Sequence, residues 1–276
     1  MSKVVEVIRD DILQQLAADK LTLPTLPEVA LRVREVAEDP DADINQLTQI
    51  ISQDTALAAR ILRICNSPLF RANAKIGDLH HAISRLGMDY TANLAIGLAM
   101  EQMFQATSDM IEERMRRNWQ VTTQVALYAA MLSERCDISA DEATLAALLH
   151  RIGVLPILSY VEEAEDIQLD GIHLDKLVGH LHARMGAAIL KNWEFPESLI
   201  TVPLEYRSLK SRHDKITHAD LVTAANLLVF ADRENYFGRA DWTEAPVIDQ
   251  LNLPADRHHA VIKNLHQRVA DQAGLF

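Results

Sequence analysis

The segment ATLAALLHRIGVLPIL, residues 143 to 158, places a histidine and an arginine side by side in an otherwise apolar stretch. A neutral imidazole such as that of His150 can bind a divalent cation or move a proton near neutral pH. The guanidinium of Arg151 has no acceptor lone pair, so it cannot bind a metal ion, but it can bind a phosphate group. For each residue taken alone, a plainer interpretation is more common: a core histidine bonded to backbone, and an arginine whose stem covers apolar neighbours while its head reaches water.

The other reactive side chains form weaker patterns. The pairs His80–His81 and His258–His259 are adjacent in sequence, whereas two metal ligands on one helix need a spacing of three or four residues. Two cysteines, Cys65 and Cys136, have no CxxC or CxxH spacing, which argues against a zinc site and against a disulfide framework. The nucleophile-elbow, P-loop, dinucleotide-binding and HExxH motifs are all absent from the sequence.

The charge of the chain restricts its partners. It contains 27 basic and 39 acidic side chains, which give a formal charge of −12 at pH 7. This charge repels phosphate backbones at long range, so we expect no nucleic-acid partner. We also expect no signal peptide and no membrane span, because the first residues include acids and no long uncharged apolar run occurs. With its isolated cysteines, the sequence is typical of a cytoplasmic protein.

Apolar residues recur at spacings of three and four through most of the chain, which predicts an all-α fold. The predicted helices form two packed lobes, residues 1–107 and 108–276, and the second lobe finishes with a C-terminal helix. Local signals predict helix ends at the N-caps Asp43 and Asp54, at the capping box of Ser139 and Glu142, and at the terminal glycines Gly87 and Gly153. The basic runs at 114–117 and 210–215 are interpreted as solvated helix faces without a function.

Several segments resemble one known family. Between residues 22 and 87, the sequence LPTLPEVALRVREVAEDPDADINQLTQIISQDTALAARILRICNSPLFRANAKIGDLHHAISRLG resembles the start of the HDOD family, the HD-related output domain of bacterial signalling proteins. The segments NWQVTTQVALYAA, ALLHRIGVLPIL, LHARMGAAILKNWEFPE and THADLVTAANLLVFAD extend the resemblance to about residue 235. The resemblance implies that the C-terminal lobe is a helical bundle similar to the HD phosphohydrolases.

Active HD phosphohydrolases hold divalent metal with a histidine, an adjacent His-Asp pair and a later aspartate, which all donate electron pairs. By the surrounding motifs, the resemblance places these positions at or beside Val121, at His150 and Arg151, and at Asn226. Valine cannot coordinate a cation, arginine replaces an anionic ligand by a fixed positive charge, and asparagine is a weaker ligand than aspartate. The resemblance therefore implies that the metal site is lost.

Neighbouring residues do not restore the ligand set. Asp220 and Asp232 lie six residues on either side of Asn226, which places them roughly 120° away around a helix. Tyr206 and Arg207 stand where HD-GYP phosphodiesterases carry a second histidine pair, and His182 stands where a histidine is usual in the family, either near the pocket or in helix packing. The residues predicted for a vestigial pocket are Val121, His150, Arg151, His182 and Asn226.

From these losses we expect a non-enzymatic signal-transduction module that acts on other signalling proteins and needs no cofactor or metal. In this hypothesis, Arg151 can also clamp a phosphate-bearing small ligand in the vestigial pocket. The alternative hypothesis is a metal-dependent phosphohydrolase that acts on a nucleotide or a cyclic dinucleotide with an unusual ligand set.

Overall fold

The computed structural model describes residues 3–18, 20–21, 23–67, 70, 75–103, 108–164 and 169–272. Within these ranges the backbone forms α-helices, short 3-10 helices and turns, and none of it is in a β-strand. The predicted all-α fold is confirmed. The lobe boundary predicted near residue 107 falls on residues 104–107, which lie outside the described ranges.

We call the residues before the predicted boundary the N-terminal lobe; their helices are α1 (Lys3–Ala17), α2 (Glu28–Glu38), α3 (Ile44–Ser52), α4 (Thr55–Cys65), α5 (Leu79–Leu86) and α6 (Met88–Ala99). We call the residues after it the C-terminal lobe; their helices are α7 (Asp109–Leu132), α8 (Ala140–Leu149), α9 (Val154–Glu163), α10 (Gly171–Asn192), α11 (Glu197–Ile200), α12 (Val202–Glu205), α13 (His218–Val229), α14 (Pro246–Gln250) and α15 (Ala260–Ala270). Short 3-10 helices occupy Met100–Met103, Ser133–Arg135 and Trp242–Glu244.

Most of the predicted helix ends are present. The Asp43 carboxylate accepts a hydrogen bond from the Gln46 backbone N–H at 2.9 Å, and the Asp54 carboxylate accepts from the first turn of α4. The Glu142 carboxylate accepts hydrogen bonds from the backbone N–H and the hydroxyl of Ser139, which form the predicted capping box at the start of α8. Gly87 has a φ of 90°, a conformation that other residues rarely adopt. Short-range sequence signals therefore fix these boundaries.

The prediction that Gly153 marks the end of the preceding helix is wrong. Helix α8 ends at Leu149, and the chain turns before α9 begins at Val154. Gly153 has a φ of −66°, so no left-handed conformation requires a glycine there. A Cβ atom at this position would lie 2.1 Å from the backbone oxygen of His182 and 2.3 Å from the backbone nitrogen of Gly186. The glycine is needed because the start of α9 touches the backbone of α10.

The two lobes pack against each other. Helix α6 of the N-terminal lobe contacts α2 within its own lobe and α8 in the other, and one continuous set of buried apolar residues runs through both lobes. The indole N–H of Trp193 donates a hydrogen bond to the Pro24 carbonyl at 2.9 Å, and the Arg34 guanidinium donates to the carbonyl of Trp193. The Tyr160 hydroxyl donates to the Asp11 carboxylate at 2.6 Å.

The stretch Ala140–Glu163 is long and apolar enough to cross a membrane when judged by length and composition alone. In the fold it is divided into α8 and α9, and 83% of its apolar window is buried inside the protein. Helix α8 packs on α6, α7 and α13, and α9 packs on α7 and α10. The stretch therefore supplies the centre of the C-terminal lobe.

Candidate functional site

A cavity of about 530 Å³ lies between α7, α9, α10 and α13 and is completed by the segments around residues 206 and 236. Four of the five residues predicted for the pocket line it: Val121 from α7, Arg151 from the turn before α9, His182 from α10 and Asn226 from α13. His150 does not line it. The helical bundle thus brings together side chains that are far apart in sequence.

Arg151 is held in the wall of the cavity by Asn118. Its Nε–H donates a hydrogen bond to Asn118 Oδ1 at 2.7 Å, and this bond fixes the plane of the guanidinium. The terminal nitrogens of Arg151 have no hydrogen-bond partner in the part of the chain that the structure describes. Asn118 is 5% exposed, and its amide nitrogen likewise has no partner there. Unused donors therefore lie at and beside the cavity wall.

His182 is a neutral, hydrogen-bonded side chain. Its Nδ1–H donates to the Val178 carbonyl at 2.8 Å, so its Nε2 accepts from the Tyr206 hydroxyl, also at 2.8 Å. Burial, and then the positive charge of Arg151, lower the pKa of His182 to about 4. A metal ion could bind Nε2 only if the hydrogen bond from Tyr206 were broken.

His150 is fully buried behind the cavity. Its Nδ1–H donates to the Ala147 carbonyl at 2.5 Å, and its ring meets the ring of Tyr206 edge-on, with centroids 4.8 Å apart. Its Nε2 has no partner among the residues that the structure covers. Burial lowers the pKa of His150 to about 3, so the ring is neutral and Nε2 is a bare acceptor. The environment is that of a core histidine with one unsatisfied nitrogen.

The remaining predicted residues offer little to a cation. The Asn226 amide nitrogen donates to the Val222 carbonyl at 2.8 Å, which leaves the carboxamide oxygen as a single neutral acceptor. The Asp220 carboxylate lies outside the cavity, where it accepts hydrogen bonds from Thr217 and His213. Asp232 lines a different depression. Neither aspartate stands in for Asn226.

The donor set does not fit the divalent metal that the HD phosphohydrolases hold. The positions supply an alkyl group, a histidine outside the cavity, a guanidinium and a carboxamide. A guanidinium repels a cation and provides no lone pair. Over the described ranges, no three histidine, cysteine, aspartate or glutamate side chains cluster as a metal site would require.

Three arginines of the cavity were missed by the sequence interpretation. Arg114 and Arg117 of α7 and Arg207 after α12 line it together with Arg151. The run at 114–117 was interpreted as a solvated face without a function. Arg117 is indeed exposed, whereas Arg114 is partly buried, and both side chains line the cavity. Positions 114, 117, 118 and 121 follow helical spacings of three and four, so the face that carries Val121 could have identified them.

The cavity is positively charged within an acidic protein. Its lining contains four arginines against Glu113 and Asp175, a formal sum of +2, whereas the whole chain carries −12. Arg114 is partly neutralised, because its Nε–H donates to Asp175 at 3.0 Å. With His182 neutral, the positive potential of the cavity comes from guanidinium groups.

One wall of the cavity is aromatic. The rings of Tyr206, Phe230 and Tyr236 each lie within 6.1 Å, centroid to centroid, of the ring of Phe237. The Arg207 guanidinium lies 4.7 Å from the centroid of the Tyr236 ring, and the Tyr236 hydroxyl donates to the Arg207 carbonyl at 2.6 Å. No periodic signal marks Tyr236 and Phe237, because they belong to turns. The rings give this wall a flat apolar surface, and the preference of the cavity for an anion comes from its guanidinium groups.

Comparison with known proteins identifies the family. The profile of the HDOD domain matches residues 23–207, which is more than half of the chain. The chain belongs to the HDOD family. The C-terminal lobe described above thus extends beyond the HDOD match, since α13 and the segment around Tyr236 follow residue 207.

Solved structures share the fold of this HDOD protein. A protein of Shewanella amazonensis SB2B, provisionally named a metal-dependent phosphohydrolase, is 29% identical with a TM-score of 0.84, and the match covers 98% of this chain and 99% of that one. A provisionally named signal transduction protein of Marinobacter aquaeolei VT8 is 22% identical with a TM-score of 0.65, over 98% of this chain and 66% of that one.

An HDOD domain protein of unknown function from Geobacter sulfurreducens is 20% identical with a TM-score of 0.61, over 95% of this chain and 97% of that one. An uncharacterized protein of Treponema pallidum (strain Nichols) is 28% identical over 220 residues, or 70% of this chain. This chain spans 41% of the length of that curated relative.

Proposed function

We propose that this HDOD protein is a non-enzymatic regulatory module of the bacterial cytoplasm that acts on partner proteins, and that its cavity binds a phosphate-bearing small ligand without hydrolysing it. The observation that supports the proposal is the Arg151 guanidinium on the cavity wall, at the position where the family resemblance places the HD aspartate.

The environment of Arg151 favours an anion. A guanidinium binds phosphate oxygens through parallel charge-assisted hydrogen bonds, and the bond to Asn118 orients it while leaving its terminal nitrogens for a ligand. Arg117 and Arg207 add positive charge to the same cavity.

Hydrolysis of the bound ligand is not expected. Metal-dependent phosphohydrolases use the cation to lower the pKa of a bound water and so generate hydroxide. By the family resemblance, Arg151 stands where a carboxylate ligand would be needed, and the imidazole of His182 accepts a hydrogen bond from Tyr206. The cavity therefore supports binding more than turnover.

The test is isothermal titration calorimetry with pyrophosphate at low ionic strength. The wild-type protein is expected to bind, and Arg151→Ala is expected to weaken binding at least tenfold, the loss of one charge-assisted contact. Arg212→Ala removes an exposed arginine that does not line the cavity and serves as the matched control. If Arg151→Ala binds pyrophosphate as the wild type does and has an unchanged circular dichroism spectrum, the proposed ligand site is wrong.

The second candidate is a metal-dependent phosphohydrolase, and the provisional name of the Shewanella relative supports it. Elemental analysis of the purified protein separates the two candidates, because an enzyme of this kind needs a stoichiometric divalent ion and an activity that EDTA removes. The variant Val121→His/Arg151→Asp/Asn226→Asp, which places three donors on one cavity, is a control expected to gain metal affinity.

A further inference from the structure

The cavity continues as a groove along α7. A neighbouring depression shares Arg117, Val121 and Phe230 with the cavity. The same depression shares Gln120, Gln124 and Arg233 with a larger one between α7, α13 and α15. We call this continuous surface the α7 groove. It follows α7 from residue 113 to residue 128, a length of about 22 Å at the rise of an α-helix.

The α7 groove concentrates positive charge. The three depressions are lined by six arginines against Glu113, Asp175 and Asp232, a formal sum of +3. Since the whole chain carries −12, the rest of the protein is strongly acidic. An anionic partner is therefore drawn to this surface, while the net charge of the remainder of the chain repels it.

Two arginines in the middle of the groove are unused. Arg117 and Arg233 are exposed, and neither has a carboxylate within 4.0 Å in the part of the chain that is described. Arg116 differs, because it pairs with Glu112 at 3.6 Å. Free guanidinium groups on both sides of a groove can bind carboxylates without first breaking an existing ion pair.

The remaining lining of the groove suits a polypeptide. Gln120 and Gln124 are exposed on α7 between the two ends of the groove, and each amide can donate and accept hydrogen bonds with an extended backbone. Towards α15 the lining becomes apolar at Leu127 and Val269. A chain that alternates acidic and apolar side chains would meet both kinds of surface.

We propose that the α7 groove binds an extended acidic segment of a partner protein. A length of about 22 Å accommodates about seven residues at the rise of a β-strand. The inference rests on the proposed function in one respect, that the module acts on partner proteins. A nucleic acid is the disfavoured occupant, because a long polyanion would also meet the acidic surface around the groove.

Fluorescence anisotropy tests the proposal. The probe is a fluorescein-labelled nine-residue peptide with glutamate at every second position and alanine between, and the matched probe carries glutamine instead of glutamate. The wild-type protein is expected to bind the glutamate peptide at least tenfold more tightly than the glutamine peptide. The variant Arg117→Glu/Arg233→Glu is expected to lose at least tenfold in affinity for the glutamate peptide.

The variant Arg63→Glu/Lys191→Glu is the matched control, since it makes the same change of net charge at exposed positions that do not line the groove. Its affinity for the glutamate peptide is expected to stay within twofold of that of the wild type. Equal losses in the two variants, similar binding of both peptides, or no saturable binding would each overturn the proposal. A labelled nine-nucleotide oligothymidine that binds more tightly than the peptide, and only when Arg117 and Arg233 are present, would assign the groove to nucleic acid instead.

These results are separable from those on the ligand cavity. If the glutamate peptide fails to bind while pyrophosphate binding still depends on Arg151, the groove proposal fails and the ligand site stands. If pyrophosphate does not bind but the peptide does, the ligand site fails and the partner surface stands.

Discussion

Of the thirteen polar side chains that are buried in the described ranges, Ser67 and Thr91 lie in the N-terminal lobe and the other eleven lie in the C-terminal lobe. Buried polar atoms that have no hydrogen-bond partner in the described ranges are distributed in the same way. One belongs to Ser67 in the N-terminal lobe, and five belong to residues of the C-terminal lobe. An unsatisfied buried polar group costs about 1–3 kcal/mol. The interior of the N-terminal lobe is therefore almost wholly apolar, whereas that of the C-terminal lobe is more polar, and its buried residues Asn118, His182 and Asn226 line the cavity.

The comparison predicts that acid destabilises the C-terminal lobe through its buried histidines. Burial, and then the positive charge of Arg151, lower the pKa of His182 from 6.5 to about 4, so the unfolded chain binds a proton that the folded protein excludes. The stability from neutral His182 is complete above pH 6.5 and is lost as the pH falls towards 4, a loss on the order of 3 kcal/mol. His150 acts in the same direction.

Urea unfolding followed by circular dichroism from pH 4.5 to 7.5 measures this loss. In His182→Gln, the glutamine can still bond Tyr206 but does not titrate. As the pH falls, the free energy of unfolding of this variant should therefore decrease less steeply than that of the wild type, by up to about 1.4 kcal/mol per pH unit. A profile parallel to that of the wild type would show that His182 is not the source of the pH dependence.

A smaller effect is expected at Asn66, a half-buried polar residue of the N-terminal lobe next to Ser67. The Asn66 amide nitrogen donates to the carbonyls of Leu62 and Ile76, and Asn66 Oδ1 accepts from the Ile76 N–H at 2.8 Å. Asn66→Ala should destabilise the protein by about 1–2 kcal/mol, because the half-buried backbone of Ile76 loses both partners. The control is Asn45→Ala at an exposed position, whose free energy of unfolding should stay within about 0.5 kcal/mol of that of the wild type. Equal effects of the two substitutions would mean that the Asn66 bonds stabilise nothing.

The smallest effect is expected at His150. His150→Leu removes the unpaired Nε2 acceptor but also the hydrogen bond to the Ala147 carbonyl, so the two changes should nearly cancel and stability should change by less than about 1 kcal/mol. Thermal unfolding measures this change. A destabilisation of about 3 kcal/mol or more would show that Nε2 has a partner in solution and would weaken the contrast between the lobes.

The sequence predicts those features that depend on neighbouring residues. The caps at Asp43 and Asp54 require only a carboxylate and the next backbone N–H groups. The all-α architecture follows from apolar spacing over long segments, and the family resemblance is confirmed by the HDOD match.

Directions of side chains in the cavity could not be predicted in the same way. His150 and Arg151 are adjacent in sequence, yet the His150 ring packs on Tyr206 while the Arg151 side chain donates a hydrogen bond to Asn118. They diverge because α8 ends before them and the chain turns. The aromatic wall could not be predicted either, since Tyr236 and Phe237 come from turns without a period. Such placements depend on how distant helices pack.

The glycine contact between α9 and α10 limits how the cavity can admit a ligand. Because no side chain separates Gly153 from the backbone at His182 and Gly186, the turn that carries Arg151 packs directly on the backbone of α10. We expect this turn and α10 to move together. We therefore expect any widening of the entrance to come from the opposite side, by displacement of α7 or of the turn that bears Tyr236.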